Sequence, residues 1–460
     1  MSSIQQYIDL YESCSSAVDA GSTAVMNLPR RDALERLRGA KLPSRGDENY
    51  EISDLEDVFA PDYGLNINRI SAANVDIDEP FRCDVPNMST SLFYFFNDTY
   101  YDDNIVRPAL SAGVIVKSLR EAGETHREIL EKYYAKIAPM DDAQVALNTL
   151  LAQDGLFVYV PAGVVVERPI QVVNLLRAES PLMVNRRMLI IIEAGAQARL
   201  LVCDHTQSPG VKFLNSQVLE VYVGENSVFD YYDLEESSID TSRVSSMWLR
   251  QAAGSNVLVN GMTLTNGFTR NNYRIDINGE HAETRLLGMA IADGRQHVDN
   301  HTHISHNAGY CHSDELFKYV LEDEARGSFT GKILVAQGAQ KTQAYQSNRN
   351  ICAESARMHT KPQLEIYTDD VKCSHGATVG QLDPDALFYM QARGISCQEA
   401  RTLLMQAFMS DIIDGIRLEA LKDRLRHLVE KRFAGTLAQC RNCLGTSCHG
   451  KMKSIEKRKN

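Results

Sequence analysis

A glycine-marked repeat is the feature that most limits how this chain can fold. Six glycines recur at intervals of 29, 30, 25, 30 and 29 residues, and nearly all of them open short polar turns: Gly195, Gly224, Gly254, Gly279, Gly309 and Gly338. Runs such as LFVYV and MLIII, which favour strands, fill the segments around them. A period of this length indicates stacked units, in which each coil returns the chain to the same corner. The repeat favours a β-solenoid, and an antiparallel sandwich with regular hairpins is the alternative.

Length and composition narrow the class of protein. At 460 residues the chain is long enough for two or three domains. Its net charge of −12 argues against a general nucleic-acid binder, which needs a cationic face. We expect a cytoplasmic protein without a membrane anchor, because the sequence has no long apolar run and no signal-peptide pattern at its start. The ten irregularly spaced cysteines favour reduced thiols over a disulfide framework.

The pattern of the chain changes near three positions, which predicts four regions. They are an N-terminal helical and mixed region (1–154), a β-rich core (155–382), a C-terminal helical domain (383–436) and a basic tail that contains cysteines (437–460). Asp383 before Pro384, and Ser396 three residues before Glu399, are typical starts of two helices. An apolar stripe follows, and we expect at least part of it to dock a partner: Leu404, Phe408, Ile412 and Ile416.

The segment DDVKCSHGATVGQL, residues 369–382, contains a thiol and an imidazole two residues apart, together with two glycines. If the segment is extended, Cys373 and His375 leave from the same face about 7 Å apart and can reach one partner or one metal. The plainer interpretation is a small buried thiol beside a hydrogen-bonded polar residue. A nucleophile and its base would need closer contact, so the spacing disfavours a cysteine hydrolase.

Two further clusters contain metal-ligating residue types. Five histidines fall between His297 and His312, and two of them, His301 and His303, share a strand face. Near the C-terminus, a second cluster has thiol and imidazole ligands within ten residues: Cys440, Cys443, Cys448 and His449. A hydrogen-bonded polar ladder and a redox-sensitive tail are the respective alternatives. The run GSFTGKI from Gly327 is not a P-loop, so any ATP must be hydrolysed by another protein.

The run from Glu365 to Ser396 resembles the C-terminal signature of the SufB/SufD family, the scaffold subunits of the SUF iron–sulfur cluster assembly system. Its KCSHGAT segment is typical of the SufD type. The resemblance covers most of the chain and is strongest from about residue 150 to 415, whereas Tyr50 stands where tryptophan is commoner. It implies a mainly β fold, with a right-handed parallel β-helix core between the two helical regions.

The resemblance also implies a function. It predicts a non-catalytic scaffold subunit that pairs with a SufB-like subunit and binds a SufC-like ATPase through its C-terminal helical domain. Cys373 and His375 match the interface with SufB, where a transient iron–sulfur cluster or iron is expected, and no cofactor is expected to stay tightly bound to the isolated chain. A homodimer of the isolated chain is a further expectation, without nucleic-acid or membrane partners. The alternatives are a SufB-type sister subunit and an independent metal-binding scaffold.

Overall fold

The computed structural model describes residues 2–69, 89–101, 110–208 and 210–435. The chain divides into two compact units. One combines Met1–Ser71 with Thr90–Gly380, and the other combines Ala72–Ser89 with Gln381–Asn460. The N-terminal helices and the β-rich region therefore belong to the same unit. The strand that starts at Gly155 is the first to pair in parallel with the strand two places further along the chain.

The first unit contains seven helices and nineteen strands among its described residues. The helices are α1 (Ser3–Ala20), α2 (Ala24–Asn27), α3 (Arg30–Leu37), α4 (Leu55–Phe59), α5 (Leu119–Thr125), α6 (Arg127–Tyr133) and α7 (Ala143–Leu151). The first nine strands are β1 (Ser91–Phe96), β2 (Thr99–Tyr101), β3 (Ile115–Ser118), β4 (Gly155–Val160), β5 (Ile170–Leu176), β6 (Leu182–Ile192), β7 (Gln197–Thr206), β8 (Phe213–Val223) and β9 (Val228–Glu236). The later strands are β10 (Thr241–Gln251), β11 (Asn256–Thr265), β12 (Phe268–Ile277), β13 (Glu283–Ala292), β14 (His297–His306), β15 (His312–Leu321), β16 (Arg326–Val335), β17 (Gln343–Cys352), β18 (Arg357–Ile366) and β19 (Lys372–Gly380).

The long strands form a parallel β-helix. From β4 onward each strand pairs in parallel with the strand two places along the chain, so that alternate strands build two sheets. The ten-stranded sheet carries β5 to β19 in odd numbers, and the nine-stranded sheet carries β4 to β18 in even numbers. This topology confirms the solenoid and excludes the antiparallel sandwich, whose neighbouring strands would join through hairpins.

The repeated glycines occupy the corner at which the chain leaves the nine-stranded sheet for the ten-stranded one. Gly195, Gly254 and Gly338 have φ values of 69°, 65° and 90°, a left-handed conformation that favours glycine. Gly279 is needed for a different reason, because a Cβ there would lie 2.0 Å from the backbone nitrogen of Ala253. The period of the sequence therefore reflects both tight turns and close stacking of one coil on the next.

Apolar ladders fill the interior between the two sheets, which we call the lumen. One ladder in the ten-stranded sheet aligns Leu200, Tyr231, Val259 and Leu286 in register, and all four are essentially inaccessible to solvent. Burying each such side chain contributes roughly 1.5–3 kcal/mol. The stacked coils thus gain stability from every added repeat.

The N-terminal region packs on the outer face of the nine-stranded sheet. The side chain of Asn148 on α7 donates to the carbonyls of Arg186 and Ser216 at 3.1 and 3.0 Å. The guanidinium of Arg270 lies 4.2 Å from the ring centroid of Tyr50. These contacts explain why the helices and the β-helix form one compact unit.

The second unit contains α8 (Pro384–Ala392), α9 (Cys397–Asp414) and α10 (Glu419–Phe433) among its described residues. Its helix starts confirm the sequence prediction. Asp383 accepts a hydrogen bond from the backbone of Asp385, and Ser396 accepts one from the backbone of Glu399. Buried apolar residues of α9 and α10 form its core, among them Met405, Met409, Ile413, Leu421 and Leu425.

Candidate functional site

The β-helix ends in a coil that is open on one side. Strands β18 and β19 are the terminal strands of the two sheets, and each pairs on one edge only within the described residues. Val379 continues the lumen row of Tyr319 and Asn350, yet it is 51% exposed. The last coil therefore presents backbone hydrogen-bonding groups and apolar core side chains together, a combination that invites pairing with another strand.

Cys373 and His375 lie on β19 in this open coil, on the face that looks into the lumen. Cys373 is in register with Ala344, and His375 with Gln346, both of which are buried. Cys373 is half-buried against the core, whereas His375 is exposed. The strand is extended, so the expected shared face is present. No hydrogen bond joins the thiol to the imidazole, which leaves the pair without the contact that a nucleophile and base require.

The lumen row that leads to His375 changes from apolar to polar near the open end. After Leu286 it continues through Glu315, Gln346 and His375. The Gln346 amide donates to the Glu315 carboxyl at 2.8 Å, and burial raises the pKa of Glu315 to about 7. A polar ladder thus runs inward from His375 to a buried carboxyl.

The two candidate ligands can supply one sulfur and one nitrogen. Burial raises the pKa of the Cys373 thiol, although a backbone hydrogen bond from Ala344 opposes the shift. The thiol is therefore protonated near neutral pH, and binding of iron would release that proton. An iron–sulfur cluster held at this position would need further ligands, because two donors do not complete a four-coordinate shell.

His301 and His303 of β14 share the face that the sequence predicts, but they lie on the outer face of the sheet. Burial, followed in each case by a nearby arginine, lowers the pKa of His301 to about 3 and that of His303 to about 4. Arg274 donates to Nδ1 of His303 at 3.1 Å. Within the described residues no three His, Cys, Asp or Glu side chains are grouped so as to hold a metal ion. Metal binding by this pair stays a prediction.

The tail ligands Cys440, Cys443, Cys448 and His449 lie outside the described residues.

The four residues of the helical stripe differ in their exposure to solvent. Ile412 and Ile416 are buried in the core of the second unit, whereas Leu404 and Phe408 are half-buried. Other side chains of α8 and α9 are more exposed: Phe388 (72%), Tyr389 (59%) and Leu403 (40%). These three did not stand out in the sequence, because a helical stripe does not reveal which of its sides is covered.

A buried charged network in the middle coils was not apparent from the sequence. Arg186 donates to Asp204 at 2.7 Å inside the lumen, and Arg243 pairs with Asp233. Burial raises the pKa of Glu235 to about 8, even though Arg243 acts in the opposite direction. At neutral pH, two arginines therefore face the carboxylate of Asp204 and a protonated glutamic acid, while burial raises the pKa of Asp233 against the effect of Arg243. The signal that could have found this network is the repeat itself, which aligns residues about 30 positions apart.

None of the described helices is long and apolar enough to cross a membrane.

Comparison with known proteins assigns the chain to a family. Residues 174–408 match the family model for the SUF system FeS cluster assembly, SufBD core domain, and residues 1–172 match the SufBD protein N-terminal region. An iron–sulfur cluster assembly SufBD family protein of Synechocystis is 31% identical over 88% of this chain and 90% of its own length. The iron–sulfur cluster assembly protein SufD of Escherichia coli is 40% identical over 36% of this chain and 40% of its own, and SufD of Bacillus subtilis is 26% identical over 76% and 80%. The chain therefore belongs to the SufBD family of the SUF iron–sulfur cluster assembly system.

Proposed function

We propose that this chain is a SufD-type scaffold subunit of the cytoplasm, which pairs with a SufB-like subunit through the open coil. The observation that carries the proposal is the end of the β-helix itself. It combines two strand edges that pair with no other described strand, an exposed core residue at Val379 and a donor pair, Cys373 and His375, in one place. A non-catalytic role fits the donor pair, because neither side chain is activated by the other.

Pairing with another β-helix end would satisfy the open coil. Strands β18 and β19 offer ten and nine residues of edge backbone. A partner coil would add strands to both sheets and cover the lumen, which supplies apolar burial as well as hydrogen bonds. A second copy of this chain can make the same contact in isolation, whereas a SufB-like chain would add different ligands.

A shared site explains why the donor pair is incomplete. His375 is the expected ligand from this chain, joined by a cysteine thiolate of the SufB-like subunit. Imidazole and thiolate both suit iron, and a site divided between two chains opens when the chains move apart. The cluster or iron is then cargo that is held during assembly and released afterwards.

The second unit is the proposed docking region for a SufC-like ATPase. Phe388, Tyr389 and Leu403 expose apolar surface there, and a cavity of about 480 Å³ lies between α9 and α10. Exposed aromatic side chains are frequent anchors of protein interfaces. ATP hydrolysis would take place in the docked partner.

Docking can be separated from folding by two aspartate substitutions. Phe388→Asp should preserve the fold and reduce retention of the ATPase on the immobilised chain at least tenfold, because the side chain is exposed. Ile412→Asp should instead destabilise the helical unit, since it buries an unpaired charge. Full retention of the ATPase by a folded Phe388→Asp chain would place its docking surface elsewhere.

Co-expression with the SufB-like and SufC-like chains of the same source tests the assembly. We expect one stable complex that contains all three, weighed by native mass spectrometry under anaerobic conditions. A chain that purifies alone, with stoichiometric metal of its own, would contradict the scaffold proposal and favour an independent metal-binding protein.

His375→Ala tests the shared site within that complex. It should leave assembly intact and reduce iron and sulfide recovered with the complex several-fold. His312→Ala is the matched control, because His312 lies on the same sheet but on its outer face. Equal iron recovery from both variants would remove His375 from the mechanism.

A further inference from the structure

We propose that a groove on the outer face of the nine-stranded sheet binds a small phosphate-bearing anion. The groove consists of two adjoining cavities of about 300 and 440 Å³, which share Arg326 and Arg357 in their walls. Arg45 and His359 line the smaller cavity as well. We call this feature the arginine groove, and it lies away from the lumen face that carries Cys373 and His375.

Three of its arginines have no counterion among the described residues. The guanidinium groups of Arg45, Arg326 and Arg357 make no hydrogen bond or ion pair there. The acidic side chains in the walls are already engaged, since Glu51 pairs with Lys361 at 3.0 Å and Glu324 pairs with Arg295 at 3.2 Å. In a chain of net charge −12, this concentration of unpaired positive charge is unusual.

The arginines are held close together by the fold. His297, Arg326 and Arg357 are aligned in register on three adjacent parallel strands, which are about 4.8 Å apart. One phosphate group can therefore contact two guanidinium groups at once. Each guanidinium presents a planar fork of donors that matches phosphate oxygens in a bidentate way.

The third arginine comes from a loop that is fixed to the same sheet. Ser53 donates to the carboxylate of Asp299, and its hydroxyl lies 3.3 Å from Nε2 of His297. Together with the stacking of Tyr50 on Arg270, this contact holds the loop that carries Arg45. The arrangement is thus preorganised, which lowers the entropic cost of binding.

The histidines of the groove point to the same ligand chemistry. The Nε2 atom of His359 is buried without a hydrogen-bond partner. Burial lowers the pKa of His297 to about 4; the nearby carboxylate of Asp299 opposes this shift, whereas Arg326, Arg270 and Arg45 add to it. A bound phosphate would supply both a counterion for the arginines and a hydrogen-bond partner for the buried Nε2 atom of His359.

A small ligand fits this surface better than a protein segment does. The two cavities together have the size range of small-molecule sites, and Ile52 and Met358 add apolar wall next to the arginines. A phosphate monoester or a nucleotide-type diphosphate combines a charged end with a less polar remainder. The arginine groove accordingly specifies a phosphate, whatever the remainder of the molecule.

Titration calorimetry on the full chain at fixed ionic strength tests this site with inorganic phosphate, pyrophosphate and a nucleoside diphosphate as probes. We expect saturable binding of pyrophosphate, weakened at least tenfold in R326Q/R357Q. The control R199Q/R285Q removes two charges from exposed arginines of the other sheet and should stay within twofold of the parent. If the nucleoside diphosphate binds more tightly than pyrophosphate, the apolar wall takes part in binding. If the two bind equally, the site recognises the phosphate groups alone.

A second variant distinguishes a loss of binding from a loss of folding. R45Q changes a loop residue, so it should leave the thermal unfolding midpoint unchanged and weaken pyrophosphate binding several-fold. Absence of saturable binding by the parent, or equal losses in R326Q/R357Q and R199Q/R285Q, would overturn the proposal. Unchanged phosphate binding by R326Q/R357Q, combined with lost retention of a partner chain, would make the groove a protein contact instead.

Discussion

Polar side chains are buried and paired in the middle of the lumen, whereas at its end they are exposed. In the middle coils, Arg186, Asp204, Arg243 and Asp233 are deeply buried and paired with one another. In the last coil, His375 is exposed and has no partner among the described residues. The same repeat thus places charged groups with their partners in the middle coils, and a histidine without a partner among the described residues in the last coil. The contrast indicates that the middle serves the fold, and that the end is available for a partner.

The difference follows from the cost of burying charge. An ion removed from water costs several kcal/mol unless a partner and hydrogen bonds compensate it. Every charged group of the middle network therefore needs its counterpart inside the same chain. A side chain at the open end keeps its contact with water, so the chain tolerates it without a counterpart.

Removal of Arg243 should have the largest effect on stability. Arg243→Met leaves Asp233 and Asp204 without their shared cation in a buried site. Breaking a buried pair costs about 3–5 kcal/mol. We expect the free energy of unfolding to fall by that amount, as measured by urea denaturation.

Arg285→Met is the control for that experiment. Arg285 lies at the surface of the other sheet, 3.7 Å from Asp314, and exposed ion pairs contribute about 0–1 kcal/mol. Similar losses from the two variants would contradict the proposed role of the middle network.

The protonation of Glu235 should have a smaller effect on the stability of the folded state, and this effect should depend on pH. Burial raises the folded-state pKa of Glu235 to about 8 from its ordinary value of 4.5. The folded state then binds the proton more tightly than the unfolded state, so stability is full below the unfolded pKa and is lost as pH rises to about 8. Glu235→Gln should flatten the fall in unfolding midpoint between pH 5 and pH 8. The exposed Glu324→Gln should keep the parent profile, and an unchanged profile in Glu235→Gln would show that another group carries the dependence.

The sequence predicted the frame of the β-helix because its turns have strict backbone requirements. The positive φ of Gly195, Gly254 and Gly338 leaves a visible residue type at a regular interval. The helix starts at Asp383 and Ser396 are equally local, since each cap satisfies a backbone group a few residues away. Features that depend on such short-range geometry can be read without a structure.

The middle network escaped prediction because both faces of its strands are covered. Nearly every residue of β9 is buried, so the alternation that separates inner from outer side chains is lost. The polar ladder from Glu315 to His375 was missed for a related reason. Its members are 31 and 29 residues apart, and only the register of three strands brings Glu315, Gln346 and His375 together.

Gln346 lies between the middle and the open end of the lumen, and its substitution should lower the free energy of unfolding by an intermediate amount. Its amide is buried and donates to the carboxyl of Glu315, which lies one coil further in. Gln346→Leu would leave that buried carboxyl without its donor, at a cost of about 1–3 kcal/mol. Urea denaturation should therefore place this variant between Arg243→Met and the parent. Gln343→Leu on the exposed outer face of β17 is the control, and equal midpoints for both would show that the ladder contributes nothing to folding.

The smallest effect on stability is expected at the open end itself. Cys373→Ala/His375→Ala removes a half-buried thiol and an exposed ring, so the isolated chain should lose no more than about 1 kcal/mol. In the complex with a SufB-like chain, the same variant should lose iron far more than it loses stability, because the ligands matter only when the partner completes the site. A loss as large as that of Arg243→Met would mean that the pair belongs to the core. Unfolding of the isolated chain and iron content of the complex, measured on the same variant, therefore decide whether the end of the lumen differs from its middle in function as well as in exposure.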